Sequence, residues 1–127
     1  MEITLYSKSD ETNLFNMLRS EGSEWECYFG KKSEDSYKHT LKNSITFVAY
    51  ENNVLCGYIR CRNDDGFGIY IYDLLVKKEF RGNNIAKKLI EKICTEYEGS
   101  TVYVMSDADG YYKKQGYLNI GSVFQIN

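Results

Sequence analysis

No proline occurs in these 127 residues, and histidine and tryptophan occur once each. No linker, repeat or low-complexity tract interrupts the chain, so one domain spanning residues 1–127 is expected. The only histidine, His39, sits in the polar stretch KKSEDSYKHTLKN without a cysteine cluster nearby. That removes the support for a zinc site and for a Ser/His/Asp triad; His39 is read as a surface residue and no metal is expected. The four cysteines, Cys27, Cys56, Cys61 and Cys94, form no CxxC and no metal-ligand spacing. They read as small buried hydrophobes in a reducing compartment, and Cys56 and Cys61, five apart on one strand, should face opposite sides of a regular pleat. With a net charge of −2 and no long basic run, nucleic-acid binding is disfavoured. No apolar stretch reaches the length of a membrane span, and MEITLYSKSDE lacks the regions of a signal peptide, so no membrane partner and a cytoplasmic location are expected.

What remains is the composition of an ordinary globular protein, 43% hydrophobic and 27% charged. The pattern predicts a strand over 3–6 and a helix headed by Ser9 over 10–19, with Leu14, Phe15, Met17 and Leu18 on its apolar side. Residues 25–30 read as loop or broken helix, and Ser33 is placed to cap a short helix over 34–42. Strands over 44–50 and 54–61 flank Glu51-Asn52-Asn53, a hairpin signal that makes them antiparallel neighbours. A second turn, Asn63-Asp64-Asp65-Gly66, leads into a strand over 68–76. A helix over 84–98 and a strand over 101–105 follow, and a crossover of this kind implies a parallel pair, so the sheet is mixed and the class α/β, or α+β in some schemes. Ser106 is placed to cap a last helix containing Ala108, Tyr111, Tyr112 and Gln115, with Asp109 in a capping-box-like position and Gly116 as its stop. Residues 117–120 and 123–126 alternate like a closing strand or hairpin.

The most informative stretch is DLLVKKEFRGNNIAKKLI, residues 73 to 90. A strand runs through Arg81-Gly82-Asn83-Asn84 into a helix whose apolar face carries Ile85, Ala86, Leu89, Ile90, Ile93, Cys94 and Tyr97. The first N–H groups of a helix have no carbonyl partner within it, and the helix dipole adds partial positive charge there, so such a junction can cradle an anion. Arg81 adds a fork of donors suited to phosphate. The same residues would also serve as a plain connection, with Gly82 needed only for the turn and Arg81 solvated.

Together with a second motif, this junction resembles the GNAT superfamily of acyl-CoA-dependent N-acyltransferases. Arg81-Gly82-Asn83-Asn84-Ile85-Ala86 is similar to the family's strand-to-helix signature, after Leu74-Leu75-Val76-Lys77-Lys78-Glu79-Phe80 at the exit of its fourth strand. Ala108-Asp109-Gly110-Tyr111-Tyr112-Lys113-Lys114-Gln115-Gly116-Tyr117 resembles its late segment. Asn84 stands where the family usually has glycine, and Lys78 where it often has proline.

The resemblance implies a GNAT-like mixed, mostly antiparallel central sheet flanked by helices, and acetyl-CoA as co-substrate. It implies a pyrophosphate site on the N–H groups of Gly82, Asn83, Asn84, Ile85, Ala86 and Lys87, with Arg81 and Lys87 neutralising charge. Leu75 and Val76 would lie along the pantetheine arm, where two strands splay at a bulge, and a backbone N–H near Val76 would polarise the thioester carbonyl. Tyr112 matches the tyrosine that returns a proton to the CoA thiolate, and it would serve equally as a core ring. Asp73 is the candidate base or water-orienter, with Asp107 second. Trp25, Glu26, Tyr28 and Phe29 would lie near an acceptor pocket for a small-molecule or peptide amine, and suit a core or a dimer contact as well. The chain would act as monomer or homodimer. Two further readings stay open: a non-catalytic acyl-CoA-binding domain and a small interaction module on the same fold.

Overall fold

In the computed structural model, which describes residues 1–127, five strands form one sheet in the order β1-β2-β3-β4-β5. They are β1 (Glu2–Leu5), β2 (Ile45–Glu51), β3 (Val54–Asn63), β4 (Ile69–Val76) and β5 (Val102–Val104). The first four pair antiparallel and β5 pairs parallel to β4, so the sheet is mixed and mostly antiparallel, as expected. The helices are α1 (Glu11–Glu21), α2 (Glu26–Phe29), α3 (Glu34–Lys42), α4 (Ile85–Glu96) and α5 (Asp109–Lys114). Asn52 and Asn53 take positive φ values of 50° and 64° to close the β2–β3 hairpin, the conformation that a two-residue turn of this hand demands.

Each face of the sheet is covered by its own helices. Helix α4 lays Ile85, Leu89, Ile90 and Ile93 on Phe47, Ala49, Ile59, Ile69 and Ile71. On the other face α1 and α3 contribute Leu14, Phe15, Leu18, Tyr37 and Leu41, packed against Val48, Leu55, Tyr58 and Leu75. Gly57 sits where β3 passes under α4: a Cβ there would lie 2.9 Å from the carbonyl oxygen of Leu75 and 3.5 Å from the side chains of Ile85 and Leu89.

Two bulges change which face a residue sees. Between β2 and β3 the register moves from Ala49↔Gly57 to Tyr50↔Leu55, leaving Cys56 as an extra residue. Between β3 and β4 it moves from Arg60↔Asp73 to Cys61↔Ile71, leaving Tyr72 extra. Each insertion inverts the pleat. Cys56 and Cys61 therefore do not face opposite sides; both lie in the core beneath α4. Past the second bulge, Asp73 and Leu75 turn toward α1–α3 although Ile69 and Ile71 face α4.

Other expectations need correction. The first helix is entered through a short 3-10 turn closed by Ser7 and Asp10, with the Ser7 N–H donating to Asp10 Oδ2 at 2.8 Å, so Ser9 is not its cap. Ser33 precedes α3 without a side-chain capping bond. Cys27 and Cys94 are exposed, and all four thiols are free. Residues 117–127 form no strand, although Leu118, Ile120, Val123, Phe124 and Ile126 are 67–93% exposed. Alternation equips a segment for a sheet, but a strand exists only where a neighbour takes its backbone bonds, and the tail's recorded bonds are local, such as Gly121 N–H to Asn119 Oδ1.

Because Gly57 admits no Cβ without moving β4 or α4, Gly57→Ala should lower stability by about 1–3 kcal/mol. A denaturant midpoint equal to that of the parent protein would show that the sheet and α4 relax freely there.

Candidate active site

The junction between β4 and α4 is built from backbone. After a 3-10 turn over Lys78–Phe80, Arg81 is extended, Gly82 has φ of 85° and Asn84 takes the left-handed conformation at φ 60°, ψ 21°. Asparagine is among the few residues besides glycine that adopt this region readily, so Asn84 holds the turn without the strain that most other residues would meet there. It stands directly before α4, whose first bond runs from the Lys88 N–H to the Asn84 carbonyl at 3.0 Å. The N–H groups of Gly82, Asn83, Asn84, Ile85, Ala86 and Lys87 donate to no protein acceptor. No acidic residue stands in the first turn of α4. Six free donors at the positive end of a helix dipole make a strong anion site.

Arg81 does not point into that cradle. Its Nε donates to the Val76 carbonyl at 3.0 Å and its Nη2 pairs with Glu21 Oε2 at 2.9 Å, the Glu21 side chain being only 2% exposed. The guanidinium thus straps the turn to β4 and to the end of α1. Lys87 is exposed at the mouth of the cradle and reaches Glu91 at 3.9 Å.

Beside the cradle the sheet opens. Strands β4 and β5 pair only over Ile69–Ile71 and Val102–Val104, with one last bond from the Met105 N–H to the Ile71 carbonyl, while β4 continues to Val76. The Lys77 N–H bonds to Cys56 of β3, so by alternation Val76 and Leu74 direct their backbone groups away from β3 into the gap. Leu75 points its backbone the other way, and its buried side chain packs toward α1–α3. Leu74, not singled out from the sequence, takes its place beside Val76; the antiparallel hydrogen-bond rhythm was the signal that could have found it.

On the opposite face Asp73 is buried, 4% exposed, and collects three donors. The Tyr28 and Tyr37 hydroxyls donate to it at 2.5 and 2.7 Å, and Arg60 Nε at 2.5 Å. Tyr37 also shares a 2.8 Å bond with the Tyr58 hydroxyl, and its ring stacks on Tyr28 at 4.1 Å between centroids. Burial, followed by the neighbouring Asp73 charge, raises the Tyr37 phenol far above its usual value; burial, then the hydrogen bond to Asp73, does the same for Tyr28. Both oxygens of Asp73 are engaged, which ties β3, β4, α2 and α3 together and leaves this carboxylate poorly placed to accept a proton from an incoming ammonium. Trp25, Tyr28 and Phe29 pack against the core of this face, and Glu26 is exposed.

Tyr112, on α5, packs half-buried against the core beneath α4, with the rings of Tyr111 at 5.1 Å and Tyr117 at 6.2 Å. Its hydroxyl makes no hydrogen bond with the protein and is not sealed from solvent. Burial, then the charge of Asp107, pushes its pKa up to about 12. Asp107 itself is exposed. The helix stands where the sequence predicts but is not capped as expected: α5 begins at Asp109 after Ala108 with no side-chain capping bond, Ser106 Oγ instead accepts from the Ala108 N–H at 3.1 Å in a turn ahead of it, and Gly116, at φ 86°, follows its end.

The sequence that builds the cradle, the open gap and the late tyrosine helix matches a known family. The sequence profile of the Acetyltransferase (GNAT) domain matches residues 10–127. The chain belongs to the GNAT acetyltransferase family. An uncharacterized N-acetyltransferase, ycf52, of Pyropia yezoensis is 28% identical over 98 residues, covering 69% of this chain; the chain spans only 56% of that relative. Among solved structures, a ribosomal-protein-alanine N-acetyltransferase of Brucella melitensis biovar Abortus 2308 superposes with a TM-score of 0.74 at 17% identity, over 99% of this chain and 98% of that one. An aminoglycoside 6'-N-acetyltransferase complexed with coenzyme A gives 0.68 at 19% identity, over 91% and 73%. At such identities the GNAT family structures share the fold alone.

Two outcomes test the Asp73 network. Asp73→Ala leaves the Arg60 guanidinium buried without its partner and should cost about 3–5 kcal/mol in denaturant unfolding; a loss below about 1 kcal/mol would mean that water replaces the carboxylate freely. The raised phenols of Tyr28, Tyr37 and Tyr58 stay neutral in the fold where those of the unfolded chain ionise, near the ordinary value of 10.0. Their contribution is therefore complete below about pH 10 and is lost as pH rises from there toward the folded values. Melting temperatures should fall progressively from about pH 10 upward, and Tyr37→Phe should flatten that fall; a melting temperature level between pH 10 and 12 would contradict this.

Proposed function

We propose that the chain is an acetyl-CoA-dependent N-acetyltransferase that passes the acetyl group directly to a primary amine of a small molecule or peptide. The observation that carries this reading is the run of six unpartnered N–H groups at the start of α4, opening beside the gap between β4 and β5. The N–H groups of Gly82, Asn83, Asn84, Ile85, Ala86 and Lys87 would hold the pyrophosphate, with Lys87 adding charge. Arg81 would act indirectly, by fixing the turn. Backbone groups of Leu74 and Val76 would take the pantetheine arm as an added strand, and the N–H beside Val76 would stabilise the oxyanion on the thioester carbon.

The nucleophile must be a neutral amine, so its ammonium first yields a proton to water, with Asp107 the exposed carboxylate whose charge reaches Tyr112. Attack on the thioester carbon forms the C–N bond, and collapse of the oxyanion expels the thiolate. Tyr112, held protonated at neutral pH by its pKa of about 12, gives that thiolate its proton and is restored by the proton that the newly acylated nitrogen sheds through water. Asp73 serves as a positioning residue that fixes the β4 bulge and the wall formed by Tyr28, Tyr37 and Arg60. Asn84 takes the left-handed conformation that the turn into α4 uses, and the alternative of an acyl-CoA binder without turnover is separated from this reading by the thiol-release assay below. No helix is long and apolar enough to cross a membrane, and four free thiols suit the reducing cytoplasm, where we place the protein.

Acetyl-CoA at about 100 times its Kd should stabilise the fold by roughly 2.7 kcal/mol, seen as a raised melting temperature. Asn84→Gly should preserve that shift and Asn84→Val should diminish it, because a β-branched side chain resists the left-handed conformation. Tyr112→Phe should lower kcat in a thiol-release assay by about 10²-fold or more with the shift intact. A melting curve indifferent to saturating acetyl-CoA defeats the whole reading, and an unchanged kcat removes Tyr112 from the chemistry.

A further inference from the structure

A second concavity lies on the α1–α3 face of the sheet, where the helices stop short of the ends of β3 and β4. It is a groove of about 510 Å³ lined by Arg60, Arg62, Asn63, Asp64, Tyr70 and Tyr72. Its position follows from the bulge: Tyr72, the inserted residue, forms one wall, and β4 parts from β5 directly after Ile71. The groove therefore begins where the strands separate, on the face opposite α4.

The chemistry of its lining is specific. The Arg60 side chain is 10% exposed; its Nε is bound to Asp73, its Nη1 reaches Ser44 Oγ at 3.3 Å, and its Cζ lies 5.5 Å from the Tyr72 ring centre and 5.6 Å from that of Tyr37. Arg62 is exposed and joins no ion pair, and the carboxylate of Asp64 likewise joins none. Tyr70 and Tyr72 are 38% and 42% exposed, and Tyr70 is stacked on Tyr103 at 5.1 Å, which braces its ring. Two guanidinium groups, one of them unpaired, thus stand between aromatic walls with a single carboxylate at the rim.

We infer that this groove selects an acceptor amine whose own scaffold carries a carboxylate, an amino acid or a short peptide, bound through Arg62 with Arg60 behind it. The assignment rests on the acetyltransferase reading above. Guanidinium and carboxylate match as planar fork and planar acceptor, and phenol rings shelter the apolar body between the two charges. Polycationic acceptors such as polyamines meet two arginines and are disfavoured. Asp64 opposes a wholly anionic ligand, so the lining fits a molecule bearing both charges.

The test compares amino acids with their decarboxylated counterparts, tyrosine against tyramine, lysine against cadaverine and arginine against agmatine, in a thiol-release assay with saturating acetyl-CoA. Within pairs, kcat/KM should favour the carboxylate-bearing member by about tenfold or more, the size of one charge-assisted bond. Arg62→Gln should erase most of that preference while the thermal shift produced by acetyl-CoA persists, and Arg62→Lys should restore part of it. Equal or higher rates on the decarboxylated amines overturn the assignment and leave the acetyltransferase reading standing. Transfer to neither set while acetyl-CoA still stabilises the fold also overturns the assignment, and keeps only the CoA site. A melting curve unmoved by acetyl-CoA takes down both.

Discussion

The carboxylate of Asp73 is the point on which the α1–α3 face of the structure depends. It lies in the sheet beneath α2 and α3, and its two oxygens take one guanidinium donor and two phenols from three other elements. A buried carboxylate with a single partner would be costly, because the loss of water exceeds what one attraction returns. Three short hydrogen bonds offset that loss. They also fix geometry: Arg60 is held against Tyr37 and Tyr72, and Tyr28 is held on Tyr37, so the floor of the groove beside Tyr72 is set in the fold itself. The net contribution of such a cluster to stability is small beside its contribution to position, which is what a transfer site needs.

The bulge at Tyr72 makes the cluster reachable. On a regular pleat Asp73 would share the face of Ile69 and Ile71 and meet α4, an apolar wall with no donors for it. The extra residue inverts the strand, delivers Asp73 to the tyrosines, and starts the divergence of β4 from β5. One local irregularity thereby divides the sheet: free backbone on the open edge beside β5, and a cluster of polar side chains on the helical face.

The sequence announces the elements far better than the irregularities. Every strand, and every helix through α5 except the single turn α2, whose residues read as loop or broken helix, was expected close to its place, since asparagine, glycine and the change from period two to period 3.6 mark the boundaries. Neither bulge has a compositional mark: Cys56 and Tyr72 are ordinary strand residues, so the shared face of Cys56 and Cys61 and the burial of Asp73 could not be read from alternation. Arg81 shows a different limit. Its motif position argues for phosphate, but its partner Glu21 is 60 residues away in sequence, and nothing local reveals that a buried carboxylate there must be paired. The closing strands over 117–126 failed for the complementary reason, since pattern alone supplies no neighbour.

Asn84 shows how a departure from a motif is to be weighed. Glycine is favoured at such a position for two separable reasons, a left-handed backbone and room for a ligand to approach. The structure answers the first directly, because Asn84 adopts φ 60° at the entrance to α4. For the second, its side chain accepts no capping bond from α4 and is exposed, so it is not locked over the N–H groups behind it. A β-branched residue would fail on the backbone before size mattered, and alanine would have the room but lack asparagine's tolerance of the left-handed region. What this position demands of its residue is therefore a left-handed backbone first, and Asn84 supplies it while leaving the N–H groups behind it uncovered by a capping bond.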